Sequence, residues 1–100
     1  MISLLDVKNY LWIVDDEDDA FILSAITAGY DYLANAVDDF DILKASDASF
    51  QRLADMWILT QWIPAAYDER EGMHSEAPSL NYTARAMLTQ LQLYEYERED

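Results

Sequence analysis

Most residues in this 100-residue chain that could do chemistry are carboxylates. The densest run is Asp15-Asp16-Glu17-Asp18-Asp19. Carboxylates packed this closely suggest a calcium loop, but such a loop needs a glycine at its sixth position and a glutamate at its twelfth. The run supplies neither. It reads better as acids at a helix N-terminus, where the helix dipole favours negative charge. His74 is the one histidine. It is a formal candidate for a general base or metal ligand, but a metal site draws on several such ligands. Gly72 and Pro78 around it mark an ordinary solvated loop. Nucleophilic catalysis would also need a Ser or Thr beside an oxyanion loop, and phosphate binding would need a Gly-rich one. The chain has two glycines and no cysteine. That rules out a phosphate cradle, a disulfide scaffold and a cysteine metal centre. The other carboxylates fall in helix starts and tail runs, not in a pocket pattern. No catalytic residue, cofactor site or metal site is expected, and the chain does not read as an enzyme.

Elements that could position anything are clearer than chemistry. The chain is organised around Phe50 to Glu71, with Trp57 and Trp62 in an almost unbroken apolar middle. On an ideal wheel of about 100° per residue, Leu53, Met56, Trp57, Thr60, Ile63 and Tyr67 share one face. Ile58, Leu59, Trp62 and Ala66 fall on the other, where a surface helix carries charge. A helix apolar all round is buried on both sides. In so short a chain the second layer of cover is expected from other copies or a partner. Pro64 is expected to bend this helix, because it lacks the donor for the Thr60 carbonyl.

Before it, Ser3 and Asp6 form a variant capping box. Leu4, Val7, Lys8 and Leu11 then give a short amphipathic helix of about three turns. A second helix is expected from Asp16 to Val37, with Ile22, Ile26, Tyr30, Leu33 and Val37 as one stripe. Phe21, Ala25, Ala28, Tyr32 and Ala36 form an adjacent one. Gly29 in its middle costs about 1 kcal/mol relative to alanine, and a close helix crossing would explain it. Asp38 to Ala48 reads as a connector with Phe40, Ile42 and Leu43 tucked under the bundle. A two-stranded ribbon is an open alternative there. Asp47 or Ser49 caps the central helix. After the loop at 72–78, Pro78-Ser79 opens a last helix with Leu80, Ala84, Met87, Leu88 and Leu91 on one face. Residues 93–100 form an acidic tail. It is either frayed and solvated or a segment that orders on a partner through Leu93, Tyr94 and Tyr96.

The whole is expected to be all-α: a small bundle of about four helices in one domain, residues 1–92, with two long central helices and short terminal ones. An apolar fraction of 52% is ample for a core. Net charge is −14, from 20 acids against 6 scattered bases. Such a surface repels nucleic acid and anionic membrane. The start of the chain has neither the basic region of a signal peptide nor an unbroken apolar span. The expected location is a reducing cytoplasm, or a particle assembled there.

Three places in this order of elements resemble one family, the small head–tail connector (adaptor) proteins of tailed bacteriophages. The first is Leu4-Leu5-Asp6-Val7-Lys8-Asn9-Tyr10-Leu11, then an acidic turn and Asp19-Ala20-Phe21-Ile22-Leu23. It is similar to the family's short helix with Val-Lys-x-x-Leu, acidic turn and long helix. The second is Trp62 followed by Ala66-Tyr67-Asp68-Glu69-Arg70-Glu71, which looks like the family's aromatic-rich helix closing on a Tyr-Glu-Asn-Arg-Glu type signature. The third is the Pro78 loop with the Leu-rich helix to Leu91. Together they span residues 3 to 92. Pro64 and the Asp68-Glu69 pair depart from the family pattern.

The resemblance implies an all-helical subunit that assembles into a ring, commonly twelvefold, beneath the portal protein at the head vertex. There it would extend the DNA channel, through which DNA passes without specific binding, and dock the stopper or tail-completion protein. It implies a place in the virion and, during assembly, in the host cytoplasm, with no membrane contact and no cofactor. The candidate subunit or partner interface is Ile58, Trp62, Ala66, Tyr67, Arg70, Leu93, Tyr94 and Tyr96. Two other readings stay open: an acidic DNA-mimic inhibitor of a DNA-binding protein, and a small helical assembly chaperone.

Overall fold

Ser3 opens the first helix with its own side chain. In a computed structural model of the protein, which describes residues 1–68 and 80–94, the Asp6 N–H donates to Ser3 Oγ at 3.1 Å. The Ser3 N–H donates to the Asp6 carboxylate at 2.9 Å. This is the expected capping box. Helix α1 (Leu4–Leu11) is shorter than expected, because Trp12 adopts left-handed backbone angles (φ 61°, ψ 37°) and ends it. Helix α2 (Asp19–Ala36) begins later than the expected Asp16. The acidic residues before it are held in a turn by Lys8, whose ammonium lies 2.7 Å from Asp16 and 2.9 Å from Asp19.

The stretch that reads as a connector is itself helical. Helix α3 (Phe40–Ser46) buries Phe40 and Leu43, three residues apart on one face. Ile42 points away and is 57% exposed, so only two of the three expected side chains tuck under the bundle. No strand forms among the described residues, which removes the ribbon alternative. Asp47 caps the next helix by accepting the Phe50 N–H at 3.0 Å.

That central helix runs unbroken through residues 48–68 in three segments: α4 (Ala48–Trp57), a π-helical turn (Ile58–Trp62) and α5 (Ile63–Asp68). In the π turn the Ile63 N–H reaches back five residues to the Ile58 carbonyl. Pro64 comes next and has no N–H to give. The widened turn absorbs the proline's missing donor, where an ordinary α turn would break or kink. The wide turn also holds one residue more than an α turn, about 100° of phase. An ideal wheel drawn through residues 50–67 therefore goes wrong beyond Trp57. With the phase corrected, Phe50, Ala54, Trp57, Ile58, Trp62, Ile63 and Ala66 are all buried. Leu53 and Met56, placed on the core face by the ideal wheel, are 49% and 55% exposed; they precede the π turn, and within α4 the buried face runs through Phe50, Ala54 and Trp57 instead.

Helix α6 (Tyr82–Gln92) is capped by the Asn81 side chain, which accepts the Ala84 N–H at 2.8 Å. The expected opening at Pro78-Ser79 lies outside the described residues. Ala84, Leu88 and Leu91 are buried, with Leu80 and Met87 partly so, as the apolar face requires. With the central run counted once, the described residues form five helices, one more than expected, the addition being α3.

The two central tryptophans show how the layers close. Trp57 donates its indole N–H to the Ala84 carbonyl of α6, and Trp62 donates to the Ala25 carbonyl of α2, each at 2.9 Å. Tyr32 packs on both rings, with centroids 6.1 and 5.0 Å away. The central helix is thus covered on one side by α2 and on the other by α6. The second layer, expected from other copies or a partner, comes from within the chain. Gly29 marks the crossing with α2: a Cβ there would meet Ile58 Cδ1 at 2.7 Å and Trp62 Cδ1 at 2.8 Å. The close approach expected from a mid-helix glycine is present. No helix among the described residues is long and apolar enough to cross a membrane.

Candidate functional site: an interaction surface

The sequence places Ile58, Trp62 and Ala66 at a subunit or partner interface, and the structure corrects this. They are 0%, 1% and 0% exposed within a single chain, so they offer no surface to a partner. For Trp62 and Ala66 the π turn is the cause, because it shifts them toward α2 and the core; Ile58 follows Ala54 by four residues on the buried face of α4. Tyr67 is half-buried, and its hydroxyl donates to the Asp18 carboxylate at 2.6 Å. That bond ties the last turn of the central helix to the N-cap residue of α2. Tyr94 also bonds within the chain. Its ring meets Phe50 edge-on at 5.3 Å, and its hydroxyl donates to Asp47, 3.0 Å from the nearer oxygen. Desolvation first, and the Asp47 bond second, push its phenol above the ordinary value. Leu93, by contrast, is 72% exposed. Arg70 and Tyr96 lie outside the described residues, as does His74.

The surface holds apolar side chains that periodicity does not single out. Trp12 is 89% exposed and Val14 is 95% exposed. Their backbone explains both. An αL residue closing a helix is usually glycine, because a Cβ there crowds the following carbonyl. Here tryptophan occupies the position, and its N–H still satisfies the Lys8 carbonyl. The reversal sends Ile13 inward against the core and leaves Trp12 and Val14 outside. The sequence signal is weak: Trp12 is an apolar residue off the stripe of Leu4, Val7, Lys8 and Leu11, whereas Val14 would continue that stripe had the helix not ended at Leu11.

The turn beneath this knob is tied down. Two hydrogen-bonded carboxylates, Asp16 and then Asp19, raise the Lys8 pKa, and Lys8 in turn lowers that of Asp16. The acids that resemble a calcium loop converge on a lysine ammonium instead. Among the described residues, no three His, Cys, Asp or Glu side chains group so as to hold a metal ion.

A second exposed apolar face lies on α4. Leu53 and Met56 are exposed there, and Leu53 helps to wall a shallow notch of about 40 Å³ between α4 and α6, together with Trp57, Met87, Gln90 and Leu91. Neither site has the convergent polar groups of a small-molecule pocket. Both have the makings of protein contact: large apolar side chains in water with charge at the rim. Compared with known proteins, the chain matches no family model, no curated protein and no solved structure.

Proposed function

We propose that this protein is a structural subunit of the phage head–tail joint. It is an adaptor that assembles as a ring under the portal, extends the DNA channel and docks the stopper or tail. The observation that carries the reading is the order of elements around the motifs that resemble the connector family. A short helix holds Val7-Lys8 and Leu11, and an acidic turn and the long α2 follow. The aromatic-rich central helix ends at Tyr67-Asp68, and the leucine-bearing α6 completes the order. Exposed apolar residues on α1 and α4 suit repeated side-to-side contacts. A net charge of −14 suits a channel through which DNA slides without sticking.

The test is electron microscopy of lysates from a phage carrying an early stop in this gene. Emptied or leaking heads beside complete, unattached tails are the expected result. Normal particles at normal yield would overturn the reading and favour a DNA-mimic inhibitor.

A further inference from the structure

Two exposed apolar sites on this chain carry opposite charge at their edges, and neither is covered by the other. At the first, Trp12 and Val14 stand in water, followed by the exposed carboxylates of Asp15 and Glu17. At the second, Leu53 walls the notch between α4 and α6 and the exposed Met56 lies one turn further along α4, with the exposed Arg52 beside them. Arg52 has the Ser49 hydroxyl at 3.3 Å and no ion pair among the described residues. Lys8 is committed to Asp16 and Asp19, and Lys44 lies over the Tyr30 ring at 5.1 Å.

We propose that Trp12 of one copy docks on the Leu53–Met56 face of a second copy, with the edge of its indole at the notch. Arg52 of the second copy then meets Asp15 and Glu17 of the first. Charge complementarity selects this occupant. In a chain this acidic, the α4 face presents a cation beside bare apolar surface, and the chain's own knob presents acids beside bare apolar surface. Long-range repulsion between acidic copies is screened beyond about 8 Å at about 0.15 M salt, whereas contacts at the interface persist. The knob is also preorganised. Ile13 anchors its backbone inward, and the Lys8 ion pairs hold the turn after it, so little freedom is lost on docking. Trp is among the residues that dominate binding hot spots. The contact is heterologous, so each copy can give its knob to one neighbour and its face to the next. Closure of that series into a ring rests on the connector reading proposed above; the pairwise contact does not.

The experiment is sedimentation velocity on the full chain over a wide concentration range at about 0.15 M salt. Trp12→Ala, Arg52→Glu, Glu17→Arg and the double variant Glu17→Arg/Arg52→Glu are run beside it. All three positions are exposed, and circular dichroism checks that each variant is folded. The wild type is expected to form multimers. Trp12→Ala should weaken association by about tenfold or more. Each single charge reversal should weaken it, and the double reversal should restore it. Multimers that survive every variant would overturn this contact and leave the ring reading standing. A wild type that stays monomeric throughout would also overturn it, and the phage carrying the early stop would then judge the connector reading independently.

Discussion

Gly29 and Trp62 are in such close contact that a methyl group on Gly29 would sit 2.8 Å from Trp62 Cδ1 and 2.9 Å from its Nε1. The glycine lets α2 approach the π turn, and the same indole bonds the Ala25 carbonyl one turn earlier on α2. A residue that weakens a helix is here the condition for packing it.

Gly29→Ala therefore tests packing against propensity. Propensity alone would add about 1 kcal/mol of stability. Overpacking of this kind costs about 1–3 kcal/mol, and the indole, held by its hydrogen bond, has little room to yield. The expected net result is a lower urea midpoint. An unchanged or higher midpoint would show that Ile58 and Trp62 shift freely.

Trp62→Phe removes the indole donor and part of the ring. The combined loss of a buried hydrogen bond and of packing should cost about 1–3 kcal/mol. For a domain of this size that is a fall in Tm of roughly 4–8 °C per kcal/mol, measurable by calorimetry. Trp57→Phe, which releases the Ala84 carbonyl of α6, should behave alike. If only Trp62→Phe is costly, α6 is a weakly held layer.

Asp47 serves two elements, capping α4 through the Phe50 N–H and accepting from Tyr94 after α6. Asp47→Ala should lose about 1–2 kcal/mol, and Tyr94→Phe less. Hydrogen exchange separates the roles. Tyr94→Phe should speed exchange at the end of α6 alone, whereas Asp47→Ala should also speed the first turn of α4. Identical patterns in the two variants would refute the dual role.

Alkaline pH should destabilise the fold. Tyr30 is held far above its ordinary value by desolvation and then by its hydroxyl bond to Asp55. Tyr94 is raised as well. The folded chain then keeps protons that the unfolded chain releases, so unfolding free energy falls as pH rises above about 10, and these phenols contribute no change below it. Lys8, also raised, acts in the same direction. Urea midpoints measured across that range should decline, and less steeply in Tyr30→Phe. An equal slope in that variant would exclude Tyr30 as a source.

The approximate positions of four helices, the Ser3 capping box, the Asp47 cap and the close crossing at Gly29 are legible in the sequence because each depends on a few neighbouring residues. Assignment of faces on the central helix is not. Pro64 signals a disturbance, but its form, a wide turn placed before it, depends on packing against α2. The error carries directly into the interface, sending Trp62 and Ala66 outward when they point in; Ile58 goes wrong earlier, because the ideal wheel centres the core face of α4 on Leu53 and Met56. Helix α3 escapes notice because its seven residues show too little periodicity to stand out from a connector. Trp12 escapes notice because its exposure comes from a left-handed backbone that tryptophan seldom adopts.

The π turn also makes the chain unequal in its tolerance of changes in length. Removing one residue from most helices rotates everything downstream out of register. Between Ile58 and Trp62 the count already exceeds an ordinary turn by one, so a deletion there would restore regular winding and leave Ala66 and Tyr67 on the sides they now face. Tyr67 would keep its reach to Asp18, and the far end of the central helix would stay joined to the start of α2. The extra residue is thus slack in the rod, taken up just ahead of the proline.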